Sequence, residues 1–131
     1  MRPSSSTARV KPHVLIVEDE PDNREMLASL LTLYGYPVTT ATNGREALAL
    51  LRTTPHPDVL LLDLIMPVMN GWELVAVLAE DSALKGIPVV ITSGSEPAPT
   101  KGVMKVVKKP LNMNVLLKLL DSLTRIDHRE T

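Results

Sequence analysis

Four places in this chain pair a chemically capable side chain with a position at the end of an apolar run, or just after one: Glu18 with Asp19, Asp63, Ser93, and Lys109 before Pro110. Carboxylates, a hydroxyl and an ammonium together make an anionic site that can hold a cation and handle a phosphoryl group. Oxygen ligands without His or Cys select Mg²⁺, with Mn²⁺ acceptable. A carboxylate can also act as a nucleophile towards phosphorus, giving an acyl phosphate.

Each residue has a plainer reading. Glu18-Asp19 at a strand-to-helix junction fits a helix N-terminus, where a carboxylate contributes about 0.3–1 kcal/mol. If Asp63 enters the same crevice, however, like charges crowd unless a cation is shared. Asp63 as an N-cap is disfavoured, because the next helical pattern begins about eight residues later. Pro67 and Gly71 shape the intervening loop so that a backbone carbonyl, that of Ile65, stands beside the metal. Ser93 is a weak signal by itself, since Ser is common in turns, and Thr92 is equally available. Most lysines are solvated, but Pro110 puts Lys109 in a tight turn at a strand end.

What must position these groups is a set of buried strands. Val14-Leu-Ile-Val17, Val59-Leu-Leu-Leu62, Val89-Val-Ile91 and Val103-Met-Lys-Val-Val107 read as short parallel strands. Tyr36 to Thr40 reads as a further strand. Between them lie helical patterns: Pro21 onward with Met26, Leu27, Leu30, Leu31 and Leu33, closed by Gly35; Arg45 to Arg52 with Ala47, Leu48 and Leu51 on one face; Trp72 to Glu80; and Asn112, as a cap, through Thr124. Strand-helix alternation implies right-handed crossovers and a three-layer α/β sandwich. In such sheets ligands bind beyond the strand C-termini. After Ser93 the run Gly94-Ser-Glu-Pro-Ala-Pro-Thr-Lys-Gly102 leaves little room for a helix.

Composition bounds the rest. A chain of 131 residues is of single-domain size and buries roughly two thirds of its unfolded surface. There are no cysteines, so no disulfide or thiolate metal site, and His13, His56 and His128 lack ligand spacing. With 14 basic and 15 acidic residues, no Phe, and Trp72, Tyr34 and Tyr36 as the aromatics, nucleic-acid binding is not expected. No apolar run reaches membrane-spanning or signal-peptide length, so a cytoplasmic location is expected. Residues 1–11 read as a disordered segment, 12–125 as the domain and 126–131 as a polar tail.

Taken jointly, Val17-Glu-Asp-Glu-Pro21, Asp63-Leu-Ile-Met-Pro-Val-Met-Asn-Gly71, Pro88-Val-Val-Ile-Thr-Ser93 and Lys108-Lys-Pro110 resemble the receiver domain of two-component response regulators. The resemblance covers residues 12 to about 125. It implies a flavodoxin-like (βα)₅ fold with a five-stranded parallel sheet, here with the fourth helix short or absent. It also implies Asp63 as phosphoacceptor, Glu18 and Asp19 as the Mg²⁺-binding pair, Ser93 as the switch hydroxyl and Lys109 as the phosphoryl contact. The hydroxyl's family position, five residues beyond Pro88, selects Ser93 over Thr92.

Two positions depart from the pattern. Val106 stands where the family usually has an aromatic, and the segment 93–109 is short by roughly one and a half helical turns. The expectation is therefore a receiver that takes its phosphoryl group from a histidine kinase or phosphotransfer protein. It would assist its own phosphorylation without being an enzyme of another kind, and act as a monomer or weak homodimer. Output through a protein partner is expected, since no effector domain follows residue 131. Val115 and Leu119 on the last helix are either a docking face or buried where a helix is missing. The alternatives are a degenerate receiver acting only as an interaction module and a flavodoxin-type FMN binder. Glu18-Asp-Glu20 would repel the FMN phosphate.

Overall fold

The structure, a computed structural model, describes residues 11–53, 55–63, 68–93, 105–108 and 112–130. Along the chain run β1 (Val14–Val17), α1 (Pro21–Leu33), β2 (Val38–Ala41), α2 (Gly44–Thr53), β3 (Val59–Asp63), α3 (Gly71–Glu80), β4 (Val89–Ser93), β5 (Lys105–Lys108) and α4 (Met113–Glu130). The strands form one parallel sheet in the order β2-β1-β3-β4-β5. This is the flavodoxin-like architecture.

Because strand side chains alternate between faces, the apolar runs feed two cores at once. Leu15, Val17, Leu60, Leu62, Val89 and Ile91 pack on one face against Ala47, Leu48 and Leu51 of α2 and Leu74, Val75 and Leu78 of α3. Val14, Ile16, Val59, Leu61, Val90 and Val107 pack on the other against Leu27 and Leu31 of α1 and Leu116 and Leu120 of α4. Helices on both faces explain why β1, β3 and the first three residues of β4 are continuously apolar rather than alternating.

Several boundaries move. β2 begins at Val38, not Tyr36, because the Tyr36 amide is already bonded to the Leu31 carbonyl in the turn that ends α1, a turn in which Gly35 takes a φ of 95°. Only Leu27 and Leu31 of the α1 apolar set are buried, four residues apart on the sheet-facing side; Met26 and Leu33 point to solvent. α4 continues past Thr124 to Glu130, since neither Gly nor Pro interrupts residues 125–130. Leu119 packs against the second core while Val115 is exposed, so of these two side chains Val115 is the one left facing solvent. Val103 and the segment 94–104, where a short or absent fourth helix is expected, lie outside the described residues.

Candidate functional site

The strand order itself makes the crevice. α1 leaves β1 for one face of the sheet and α3 follows β3 onto the other, and in open sheets the ligand crevice lies beyond the C-terminal ends of adjacent strands whose helices diverge in this way. Register then aligns the acids. Val17 pairs with Leu62, so Glu18 and Asp63 are the next residues along neighbouring strands. Glu18 and Asp63 are buried, at 3% and 8% exposed, whereas Asp19 is exposed. One carboxylate oxygen from each of Glu18, Asp19 and Asp63 lies within 4.8 Å of the others. An all-oxygen trio of this size fits a hard divalent cation.

Local bonds set the turn that carries Glu18 and Asp19. Glu20, not either of them, is the N-cap of α1: its side chain accepts from the Asp22 amide at 2.9 Å, and Pro21 takes the first helical position. Glu18 Oε2 accepts from the Glu20 amide at 3.2 Å. The Arg24 Nη1 donates to the carbonyls of Glu18 and Asp19 at 2.9 and 3.3 Å.

Residues 68–70, which lead into α3, are held by bonds of their own. Asn70 caps α3 by accepting from the Glu73 amide at 2.9 Å, while the Glu73 carboxylate accepts from the Asn70 amide at 2.8 Å. Val68 sits at φ 69°, and the Met69 carbonyl receives the Gly44 amide at 3.0 Å. Across that contact, Glu46 accepts from the amide and hydroxyl of Thr42 at 2.6 and 2.8 Å. Those bonds, the backbone one foremost, hold its carboxyl below the usual range, and the more distant Arg24 charge adds to them.

Of the other expected site residues, Ser93 closes β4, one position beyond Thr92, which is the register partner of Asp63. Ser93 itself pairs with Lys108. Ile65, Lys109 and Pro110 lie outside the described residues; Val106 is in β5, paired with Ile91. The sequence reading missed Arg24, Glu20 and the Gly44–Met69 contact. The Asn70-x-x-Glu73 spacing was a visible capping signal, whereas nothing local marks Arg24.

A family model of the response regulator receiver domain matches residues 14–121. The chain belongs to this family. It is 42% identical over 90 residues to the two-component response regulator ORR11 of Oryza sativa subsp. indica, an alignment covering 69% of this chain and 60% of that protein. It is 32% identical over 115 residues to protein PilH of Pseudomonas aeruginosa, covering 83% and 94%. Among solved structures it resembles the chemotaxis protein CheY4 of Vibrio cholerae, with a TM-score of 0.76, 35% identity and coverage of 87% of this chain and 99% of that one. The chain thus spans about 60% of the length of the rice regulator and nearly all of PilH. Receivers are signalling domains of two-component systems that bind Mg²⁺ and work with histidine kinases or phosphotransfer proteins. Among the described residues no helix is long and apolar enough to cross a membrane.

Proposed function

We propose that this receiver accepts a phosphoryl group on Asp63 and that Glu18, Asp19 and Asp63 hold Mg²⁺ while it does so, with the Ile65 carbonyl completing the protein ligands. The observation that supports it most is the trio of carboxylates within 4.8 Å at the ends of β1 and β3. An Asp63 oxygen attacks the phosphorus of a phosphohistidine in line; the P–O bond forms as the P–N bond breaks, and the electron pair leaves with the imidazole nitrogen. Mg²⁺ supplies positive charge against the phosphoryl oxygens. Lys109, immediately after β5, adds a second positive charge there, and Ser93 at the end of β4 supplies the hydroxyl that follows the phosphoryl group.

The donor is a histidine kinase or a phosphotransfer protein, and the phosphorylated state is read by a protein partner rather than by nucleic acid, which accords with a near-neutral chain poor in aromatics. The domain spans residues 12–125, is a monomer or weak homodimer, acts in the cytoplasm, and has no enzyme activity beyond its own phosphorylation and dephosphorylation. Incubation with acetyl phosphate and Mg²⁺ tests the chemistry directly. The wild type acquires an acid-stable, base-labile phosphate and Asp63→Asn does not; a mutant that still labels overturns the assignment.

A further inference from the structure

We infer that Arg24 is a positioning residue for the metal-binding acids, an inference that rests on the proposed Mg²⁺ role of Glu18 and Asp19. Consecutive residues of an extended chain point to opposite sides. For two neighbours to offer carboxylates to one cation, the backbone at 18–19 must leave the extended path, and something must hold it there.

A closed ring of bonds does so. Glu18 Oε2 accepts from the Glu20 amide, the Glu20 carbonyl accepts from the Arg24 amide at 2.9 Å, and the Arg24 side chain returns to the carbonyls of Glu18 and Asp19. Arg24 is therefore fixed by the α1 backbone and fixes, in turn, the two peptide units that aim the acids. A guanidinium suits the task because its donors are held in one rigid plane and do not titrate.

The rival account is that Arg24 merely lowers the negative charge of the site, and the two accounts differ in sign. A cation near three carboxylates competes electrostatically with a metal ion, so on charge alone its removal tightens Mg²⁺ binding. Loss of positioning weakens it, and supporting hydrogen bonds around metal ligands are typically worth 10–100-fold in affinity.

The test is a calorimetric Mg²⁺ titration of wild type, Arg24→Met and Arg24→Lys, with thermal unfolding in EDTA run alongside. The expected result is a Kd weakened roughly tenfold in Arg24→Met, with Arg24→Lys, which keeps the charge and a donor, between the two. An unchanged or tighter Kd in both variants, in a wild type that binds, overturns the positioning role alone. Absence of Mg²⁺ binding by the wild type overturns the metal reading and this inference with it. If Arg24→Met unfolds in EDTA, Arg24→Lys decides by itself: a Kd weaker than wild type supports the positioning role, and a Kd equal to or tighter than wild type overturns it.

Discussion

Gly44 and Met69 meet so closely that only a residue without a side chain can stand at the first of them. The Gly44 amide donates to the Met69 carbonyl at 3.0 Å, and a Cβ on Gly44 would lie 2.8 Å from that oxygen and 2.8 Å from Met69 Cγ. The bond ties the start of α2 to the loop that runs on from Asp63. Gly44→Ala should push that loop aside, costing about 1–3 kcal/mol in urea unfolding and slowing acetyl phosphate labelling of Asp63. Wild-type stability and labelling in the variant would refute the tie.

Crowding of three carboxylates within 4.8 Å predicts a metal-dependent stability. Mg²⁺ at a hundred times its Kd should stabilise the wild type by about 2.7 kcal/mol, read as a rise in Tm. Asp19→Ala should lose that rise while being no less stable than wild type in EDTA, since one repelling charge is gone. Indifference to Mg²⁺ together with stabilisation by calcium or zinc would show the wrong metal has been assigned.

Glu46 predicts a pH effect. Its carboxyl is held low first by the Thr42 amide, then by the Thr42 hydroxyl and the Arg24 charge. A carboxyl depressed in the folded state adds stability above its unfolded pKa, and that contribution disappears as pH falls through the folded one. Between about pH 6 and about pH 3, the wild type should lose more stability than Glu46→Gln, measured as urea midpoints. Parallel pH profiles would count against it.

Val68 is a β-branched residue at φ 69°, a conformation costing roughly 1–2 kcal/mol in a residue other than Gly. Its side chain is 64% exposed, so little packing is lost by changing it. Val68→Asn should stabilise the fold by about 1 kcal/mol, because Asn tolerates the left-handed region. A lower urea midpoint in the variant would contradict the backbone reading.

Asn70 and Glu73 each satisfy the other's amide at the start of α3. Asn70→Ala should cost about 1 kcal/mol, and Glu73→Ala less than that. The chemical denaturation curves of both variants check the order, and a larger loss in Glu73→Ala would reverse it.

Much of the molecule is legible in one dimension because its signals are local. Runs such as Val59-Leu-Leu-Leu62, too short for a helix of ordinary length, read as strands buried on both faces, and a carboxylate directly after such a run falls at a strand end. Pro21 and Gly35 mark helix boundaries through backbone sterics, and Asn112 marks one through its side-chain oxygen, which accepts from the Val115 amide. Hence the strands, the helices between them and the strand-end positions of Glu18, Asp19 and Asp63 follow from the residue order.

Tertiary structure alone decided how these acids differ and what holds them. Register places Glu18 beside the C-terminal end of β3 and buries it, while Asp19, its neighbour in sequence, stays in solvent. Arg24 reaches back across a helix N-terminus, and Gly44 touches a loop 25 positions further along the chain. Contacts between separate elements depend on how sheet and helices stack, and no spacing along the chain encodes a distance between residues that only the packed layers bring together.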